Sequence, residues 1–215
     1  YQDNYGVKVD PARVIITVGA SGALILAALT CFDQGDNFGL PYPAYPAYKN
    51  TLHLLGINTI GIPTQTNHHL QPTIDDLKSV KEKLNGLIVA SPSNPGGTLV
   101  SPEELKALVG YCNKEKITFI SDEIYHGLVY DNVVKQQTAL AYSDDVIVIN
   151  SFSKYYSMPG WRIGWMVVPE KLVDDRVVAE QYAEFIPKSI RKYLEIPRPI
   201  EFRPVEIFDY FKPES

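Results

Sequence analysis

Short runs of β-branched and apolar residues alternate along this 215-residue chain with longer segments of helical period. Runs such as 87–90 and 146–149 are apolar at every position, which is typical of strands that are covered on both faces. The alternation therefore predicts an α/β fold in three layers, with a mostly parallel sheet between two layers of helices. Seven runs are predicted to be strands: 14–18, 37–40, 58–62, 87–90, 118–121, 146–150 and 163–168.

Three segments carry signals for the start of a helix. A helix that runs from Ser21 toward Gly35 would be capped by the Ser21 hydroxyl, and Thr73 precedes two aspartates that suit a first helical turn. The clearest start is 101–104, where serine, proline and glutamate stand at the N-cap, N1 and N3 positions.

Charge and cysteine content narrow the range of partners and compartments. Twenty basic and 25 acidic side chains give a net charge of -5, which offers no basic surface for nucleic acid. No window approaches the roughly 20 apolar residues of a membrane span, and the first nine residues show no signal-peptide pattern. Cys31 and Cys112 stand outside any zinc-binding spacing, so we expect buried thiols in a reducing, cytoplasmic compartment. Neither nucleic acid nor a membrane is an expected partner.

Three polar segments stand at the C-terminal ends of predicted strands, where parallel α/β sheets bind their ligands. The first is Gly19-Ala20-Ser21-Gly22, between a strand and a helix. Its small residues would let the backbone approach an anion, toward which helix N–H groups and the Ser21 hydroxyl would point. An ordinary strand-to-helix turn also needs small residues, so this segment alone does not establish an anion site.

The second segment, 121–125, contains Asp122, Glu123 and Tyr125. Two carboxylates at a strand end are most often caps, whereas a metal site would need further histidine or carboxylate ligands. His126 is adjacent, but the other three histidines fall in predicted surface segments. A metal site is therefore the less favoured interpretation.

The third segment begins at Ser151, reaches Lys154 and continues through Arg162. A lysine directly after an apolar strand, followed within two turns by an arginine, predicts a pair of cations in a cleft. Most lysines are solvated surface charges, but an amine beside apolar and cationic neighbours can become a nucleophile that forms Schiff bases.

Together the three segments supply an anion cradle, a carboxylate and a Schiff-base lysine, which are the groups that pyridoxal phosphate requires. The sequence resembles the fold-type I pyridoxal-phosphate enzymes, specifically the class I/II aminotransferases related to aspartate aminotransferase. The resemblance extends from about Tyr5 to Asp174. It implies a seven-stranded, mostly parallel sheet in which 163–168 is the one antiparallel strand. It also implies a homodimer whose active sites form across the subunit interface.

The motif Ser-Phe-Ser-Lys, followed by Gly-Trp-Arg-Ile-Gly, resembles the cofactor-lysine segment of this family. The resemblance implies that Lys154 forms the Schiff base, with Ser153 beside it at the cofactor. It further implies that four residues bind the cofactor phosphate: Ala20, Ser21, Ser151 and Arg162.

Other motifs imply contacts to the cofactor ring. Asp122, in Asp-Glu-Ile-Tyr, matches the carboxylate that keeps the pyridine nitrogen protonated, and Tyr125 and Asn94 match the pair that hydrogen-bonds the phenolic oxygen. Tyr45, in Tyr-Pro-Ala-Tyr-Pro, matches the aromatic residue that stacks on the ring. Taken alone, the segments around Asn94 and Tyr45 are also good turns, and Gly97 stands where many relatives have threonine. Lys154, Asp122 and Tyr125 are the expected catalytic residues.

The expected function is a pyridoxal-phosphate-dependent aminotransferase that moves an amino group between an amino acid and a 2-oxo acid. A related lyase or decarboxylase is one alternative, because the same cofactor apparatus serves those reactions. A chain that binds the cofactor with impaired turnover is another, because the small domain of the family, with its arginine for the substrate carboxylate, is not recognisable.

This organisation leads to two predicted regions. Residues 1–173 are expected to form the cofactor-binding large domain, with an incomplete N-terminal segment. Residues 174–215 are expected to form a helix to about Tyr193 and then a proline-rich, extended tail in place of the small domain.

Overall fold

The computed structural model describes residues 1–130 and 135–173; the helix and tail predicted for 174–215 lie outside the described residues. The strands are β1 (Val14–Thr17), β2 (Asn37–Tyr42), β3 (Asn58–Pro63), β4 (Gly86–Ala90), β5 (Thr118–Asp122), β6 (Ile147–Ser151) and β7 (Gly164–Val167). They form one sheet in the order β1-β7-β6-β5-β4-β2-β3. Every predicted strand is present, and its ends differ from the prediction by only a residue or two.

β7 is the antiparallel strand of the sheet. It pairs antiparallel with β1 on one side and with β6 on the other, whereas the remaining neighbours pair in parallel. The mostly parallel sheet with one antiparallel strand is thereby confirmed. Gly164, the first residue of β7, lies opposite Thr17 in one ladder and Ser151 in the other.

Helices cover both faces of the sheet, so the prediction of three layers is confirmed. The α-helices of the described residues are α1 (Gln2–Tyr5), α2 (Gly19–Cys31), α3 (Pro46–Leu54), α4 (Ile74–Ser79) and α5 (Pro102–Glu115). Ile147 and Ile149 join the core under α2 and α3, while Val146 and Val148 join the core under α4 and α5. This alternation explains why the run 146–149 is apolar at every position.

Two of the predicted helix starts are confirmed. Thr73 begins α4 with a capping box in which its hydroxyl accepts from the Asp76 backbone N–H and the Asp76 carboxylate accepts from the Thr73 backbone N–H. Ser101 and Glu104 form the same reciprocal pair at the start of α5. Each box satisfies two backbone donors that a helix end would otherwise leave without partners.

The predicted start of α2 is wrong. The helix begins at Gly19, so Ser21 is its third residue and not its cap. Gly19 has a φ of 69°, a left-handed conformation that glycine adopts without strain and that turns the chain from β1 directly into the helix. Within the described part of the chain no side chain caps this helix, which leaves the N–H groups of its first turn for a ligand.

Both cysteines are thiols that are not joined to each other. Cys112 is buried and Cys31 is half-buried. Burial raises the pKa of the Cys31 thiol to about 11 and that of Cys112 to about 12. Across residues 1–130 and 135–173, no helix has the length and apolar character needed to cross a membrane.

Candidate active site

A cavity of about 230 Å³ lies at the C-terminal ends of β4, β5 and β6, beside the N-terminus of α2. Its wall also includes residues of α3 and of the segment that joins β6 to β7. Nine of the ten residues predicted for the site line it: Ala20, Ser21, Tyr45, Asn94, Asp122, Tyr125, Ser153, Lys154 and Arg162. Parallel strands with one common carboxyl edge bring together residues that are far apart in sequence.

Ser151, the tenth predicted residue, lies behind this lining and is only 1% exposed. Its hydroxyl donates to the Ile163 carbonyl at 3.0 Å, lies 2.8 Å from the Ser153 hydroxyl and accepts from the Ser153 backbone N–H. In this arrangement Ser151 supports Ser153, which does line the cavity. A direct contact between Ser151 and a phosphate stays a prediction.

Asp122 presents a buried carboxylate to the cavity. It ends β5 and is 6% exposed. One oxygen accepts from the Ile124 backbone N–H at 3.0 Å, and the other accepts from the Tyr48 hydroxyl. Burial raises the pKa of Asp122 above its usual value, and these two hydrogen bonds partly oppose that rise. A cation bound in the cavity would favour the ionised carboxylate further.

Tyr48 is a site residue that the sequence analysis missed. It is buried on α3, lines the cavity and donates to Asp122. Burial, followed by the charge of Asp122, raises the pKa of Tyr48 well above its usual value, so this tyrosine remains a donor. Its spacing of three residues from Tyr45 was the available signal, because residues i and i+3 at a helix start share one side. The two rings meet edge to face at 5.6 Å.

Lys154 also lines the cavity and lies in the loop after β6. Its side chain is exposed, and its Nζ is 5.6 Å from the centroid of the Tyr125 ring. The Tyr125 hydroxyl accepts from the Asn94 side-chain amide at 3.3 Å. The structure thus brings the amine, the phenol and the amide of three separate loops to one wall of the cavity.

Three of the lining residues carry groups that suit an anion. Ala20 and Ser21, in the uncapped first turn of α2, line the cavity together with Arg162. Arg162 has a left-handed backbone, and its Nη1 donates to the Pro159 carbonyl at 2.9 Å. Helix N–H groups and a guanidinium are the donors that bind phosphate most strongly.

Glu123 follows Asp122 in the chain but is packed differently. It is 1% exposed, and its Oε1 accepts from the Ser121 and Thr138 hydroxyls and the Ala139 backbone N–H at 2.9–3.1 Å. Its Oε2 is buried without a hydrogen bond and lies 3.5 Å from Nδ1 of His126. In the described ranges, no group of three or more His, Cys, Asp or Glu side chains could hold a metal ion.

The sheet order and the cavity at its carboxyl edge are those of an α/β domain of the kind in which ligands bind at the strand ends. The chain belongs to the family described as aminotransferase class I and II, whose family model matches residues 1–189.

The similar proteins include valine–pyruvate aminotransferase of Mycobacterium tuberculosis, 45% identical over 80% of this chain and 44% of that protein. Aspartate aminotransferase of Geobacillus stearothermophilus is 31% identical over 89% of this chain and 50% of that protein. The crystal structure of an aminotransferase from M. tuberculosis superimposes with a TM-score of 0.82 at 44% identity, covering 86% of this chain and 48% of that chain. The chain therefore spans about half the length of the relatives it matches.

Proposed function

We propose that this chain carries the cofactor site of a pyridoxal-phosphate-dependent aminotransferase, which moves an amino group between an amino acid and a 2-oxo acid. The observation that carries the proposal is that one cavity is lined by the Lys154 amine, the buried carboxylate of Asp122 and the Arg162 guanidinium. Aminotransferases of this family generally depend on pyridoxal phosphate, so the cavity must offer groups that fit that molecule.

Two sets of lining residues suit two parts of the cofactor. The uncapped start of α2 and the Arg162 guanidinium suit a phosphate dianion. Asp122 suits a protonated ring nitrogen, because a buried carboxylate with only neutral donors gains most from a cation. Ala20 and Ser21 would complete the phosphate contacts.

Other lining residues suit the ring of the cofactor. Tyr45 lines the cavity and would stack on the cofactor ring. Tyr125 and Asn94 would hydrogen-bond the phenolic oxygen of that ring. Ser153 would contribute beside Lys154, with Ser151 beneath it. Tyr48 would act through Asp122 by holding that carboxylate in position.

When bound, pyridoxal phosphate supplies a carbonyl that condenses with amines and a ring that withdraws electrons. Lys154 would bind it covalently, and the incoming amino acid would take that place. The freed Nζ would then act as general base and acid, moving a proton between the substrate Cα and the reactive carbon of the cofactor. Asp122 would hold the proton on the ring nitrogen. Tyr125 would orient the cofactor beside the Lys154 amine. The Lys154 Nζ lies 5.6 Å from the centroid of the Tyr125 ring.

Transamination is favoured over the alternative chemistries by the relatives. The three similar proteins described above are named as aminotransferases. The valine–pyruvate enzyme makes valine and pyruvate the first pair to assay, followed by a panel of other amino acids with 2-oxoglutarate. We further propose a homodimer and a cytoplasmic location, on the family resemblance and the unlinked thiols respectively.

The covalent role of Lys154 can be tested directly. Pyridoxal phosphate is added to the purified chain, the adduct is reduced with borohydride, and the modified peptide is found by mass spectrometry. The label is expected on Lys154, and Lys154→Ala is expected to lose both the label and amino transfer. Lys106→Ala, on the exposed side of α5, is the matched control and should behave as the wild type. An unchanged absorbance and rate in Lys154→Ala would refute the proposal.

A further inference from the structure

Gly164 lies where the first turn of α2 meets the sheet. A Cβ at this residue would be 2.6 Å from the carbonyl carbon of Gly19, 2.9 Å from the Ala20 nitrogen and 2.8 Å from the Asn150 carbonyl oxygen. All three are backbone atoms, so no side-chain rotation could relieve the overlap. The missing side chain at Gly164 is what allows the start of α2 to rest directly on β7.

Gly19 has a corresponding contact on the side of the cavity. A Cβ there would be 2.7 Å from Nη2 of Arg162 and 3.3 Å from its Cζ, so the guanidinium lies against the bare Cα of Gly19. The Thr17 hydroxyl donates to the Gly19 carbonyl at 2.9 Å and holds this peptide at the end of β1. Arg162 is held from the other side by the Pro159 carbonyl.

These contacts form a chain of close approaches from β7 to the cavity. Gly164 supports the Gly19–Ala20 peptide, and Gly19 in turn supports the Arg162 guanidinium. The amide donors of α2 and the guanidinium donors of Arg162 therefore have their separation set by two residues without side chains. Neither glycine has a side chain that could itself contact a ligand, so both would act only through the groups that they position.

We infer that Gly164 and Gly19 are positioning residues for phosphate recognition, which set the distance between the α2 amides and Arg162. This inference rests on the proposed function. Alanine at Gly164 pushes on the helix backbone and displaces the amide donors. Alanine at Gly19 instead meets the end of a flexible arginine and displaces the guanidinium. The two variants thus weaken the two halves of the same phosphate contact.

The test compares the binding of pyridoxal 5′-phosphate with that of pyridoxal, which lacks the phosphate. Both dissociation constants are measured by absorbance titration on the wild-type chain, Gly164→Ala and Gly19→Ala. The ratio used is the dissociation constant of pyridoxal divided by that of pyridoxal 5′-phosphate. It reports the phosphate contact alone, because loss of fold or of the Lys154 amine affects both ligands. Each variant is expected to reduce this ratio by roughly ten- to a hundredfold, the effect of a weakened charge-assisted hydrogen bond.

Two further glycines serve as matched controls. At Gly110 on α5 a Cβ would have no atom within 4 Å, and its φ is ordinary, so Gly110→Ala is the control for Gly164→Ala. Gly6 has a φ of 71° and equally open surroundings, so Gly6→Ala controls for the backbone strain of alanine at Gly19. Both controls are expected to keep the wild-type ratio.

The outcomes separate the inference from the proposed function. A wild-type ratio that is retained in both alanine variants overturns the inference and leaves the proposed function standing. A wild-type chain that binds both ligands equally overturns the two together. Thermal unfolding is recorded for every variant; if Gly164→Ala does not fold, the ratio in Gly19→Ala decides, since its clash falls on a side chain that can move.

Discussion

Asp122 and Glu123 are consecutive buried carboxylates at the end of one strand, yet they have different surroundings. Asp122 lines the cavity, and its two oxygens accept from one tyrosine and one backbone N–H. Glu123 has three donors on one oxygen and His126 beside the other. The Tyr5 hydroxyl lies 2.7 Å from the same His126 nitrogen, which connects this cluster to α1.

The difference shows how one sequence element supplies both a site and its support. Asp122 is placed where a bound cation can interact with its charge, whereas Glu123 is enclosed by protein donors from the segment 138–139 and β5. Burial raises the pKa of Glu123 to about 7 and lowers that of His126 to about 4. Near neutral pH, Glu123 is therefore partly protonated and His126 is neutral.

Replacing each carboxylate by its amide should show the largest difference in activity between Asp122, which lines the site, and Glu123, which supports it. Asp122→Asn keeps the size and an acceptor oxygen but removes the charge that holds a proton on the ring nitrogen. We expect kcat/KM for amino transfer to fall by about 100- to 1,000-fold, the usual effect of removing one electrostatic group from an active site. Thermal unfolding should change little.

Glu123→Gln is the matched variant for that measurement. Its amide oxygen can still accept from the Ser121 and Thr138 hydroxyls, so kcat/KM should stay within a few-fold of the wild type. An equal loss of activity in both amide variants would show that the two carboxylates are not divided between site and support.

The Glu123–His126 pair predicts a specific dependence of stability on pH. As the pH falls from 7 toward 4.5, folded Glu123 takes up a proton before the unfolded chain does, which raises stability. As the pH falls from 6.5 toward 4, the unfolded histidine takes up a proton before folded His126 does, which lowers stability. The two contributions have opposite signs and largely cancel in the wild type.

Removing one partner should expose the contribution of the other. Relative to wild type, Glu123→Gln should lose about 3 kcal/mol of stability between pH 7 and pH 4, and His126→Gln should gain a similar amount. Urea unfolding at pH 4, 5.5 and 7 measures these differences, and the common titration of other groups cancels in the comparison. Shifts of the same sign in both variants would contradict the assignment.

Local sequence patterns predicted the frame of the fold, whereas most of the cavity residues follow from the resemblance of their motifs to the aminotransferase family. Doubly covered strands are apolar at each position, which marks them in the sequence; Asp122 is the last residue of one such strand, and Lys154 lies in the loop after another. The start of α2 differs from the prediction because the Ser21 hydroxyl fits the pattern of a cap, whereas the left-handed Gly19 begins the helix. A glycine can take that conformation without leaving any other sign in the sequence.

The contacts that were not predicted join distant parts of the chain. Tyr48 and Asp122 are 74 residues apart, and Tyr5 and His126 are 121 residues apart. A pair of carboxylates at a strand end fits a cap, a metal site and a buried network alike, so Glu123 could be assigned only once the packing was known. The contact between the Tyr48 hydroxyl and Asp122 depends on where α3 lies against the sheet, which local spacing does not determine.

Tyr48→Phe tests the environment of Asp122 and should lower kcat/KM less than Asp122→Asn does. The ring remains, but Asp122 loses a hydrogen bond that lowers its pKa, so that pKa should rise further. We expect kcat/KM to fall about tenfold at neutral pH, with a larger loss toward acidic pH as more of the carboxylate becomes protonated. Tyr111→Phe, on α5, is the control and should leave the pH profile unchanged. A loss of the same size at every pH would mean that Tyr48 contributes by packing and not through Asp122.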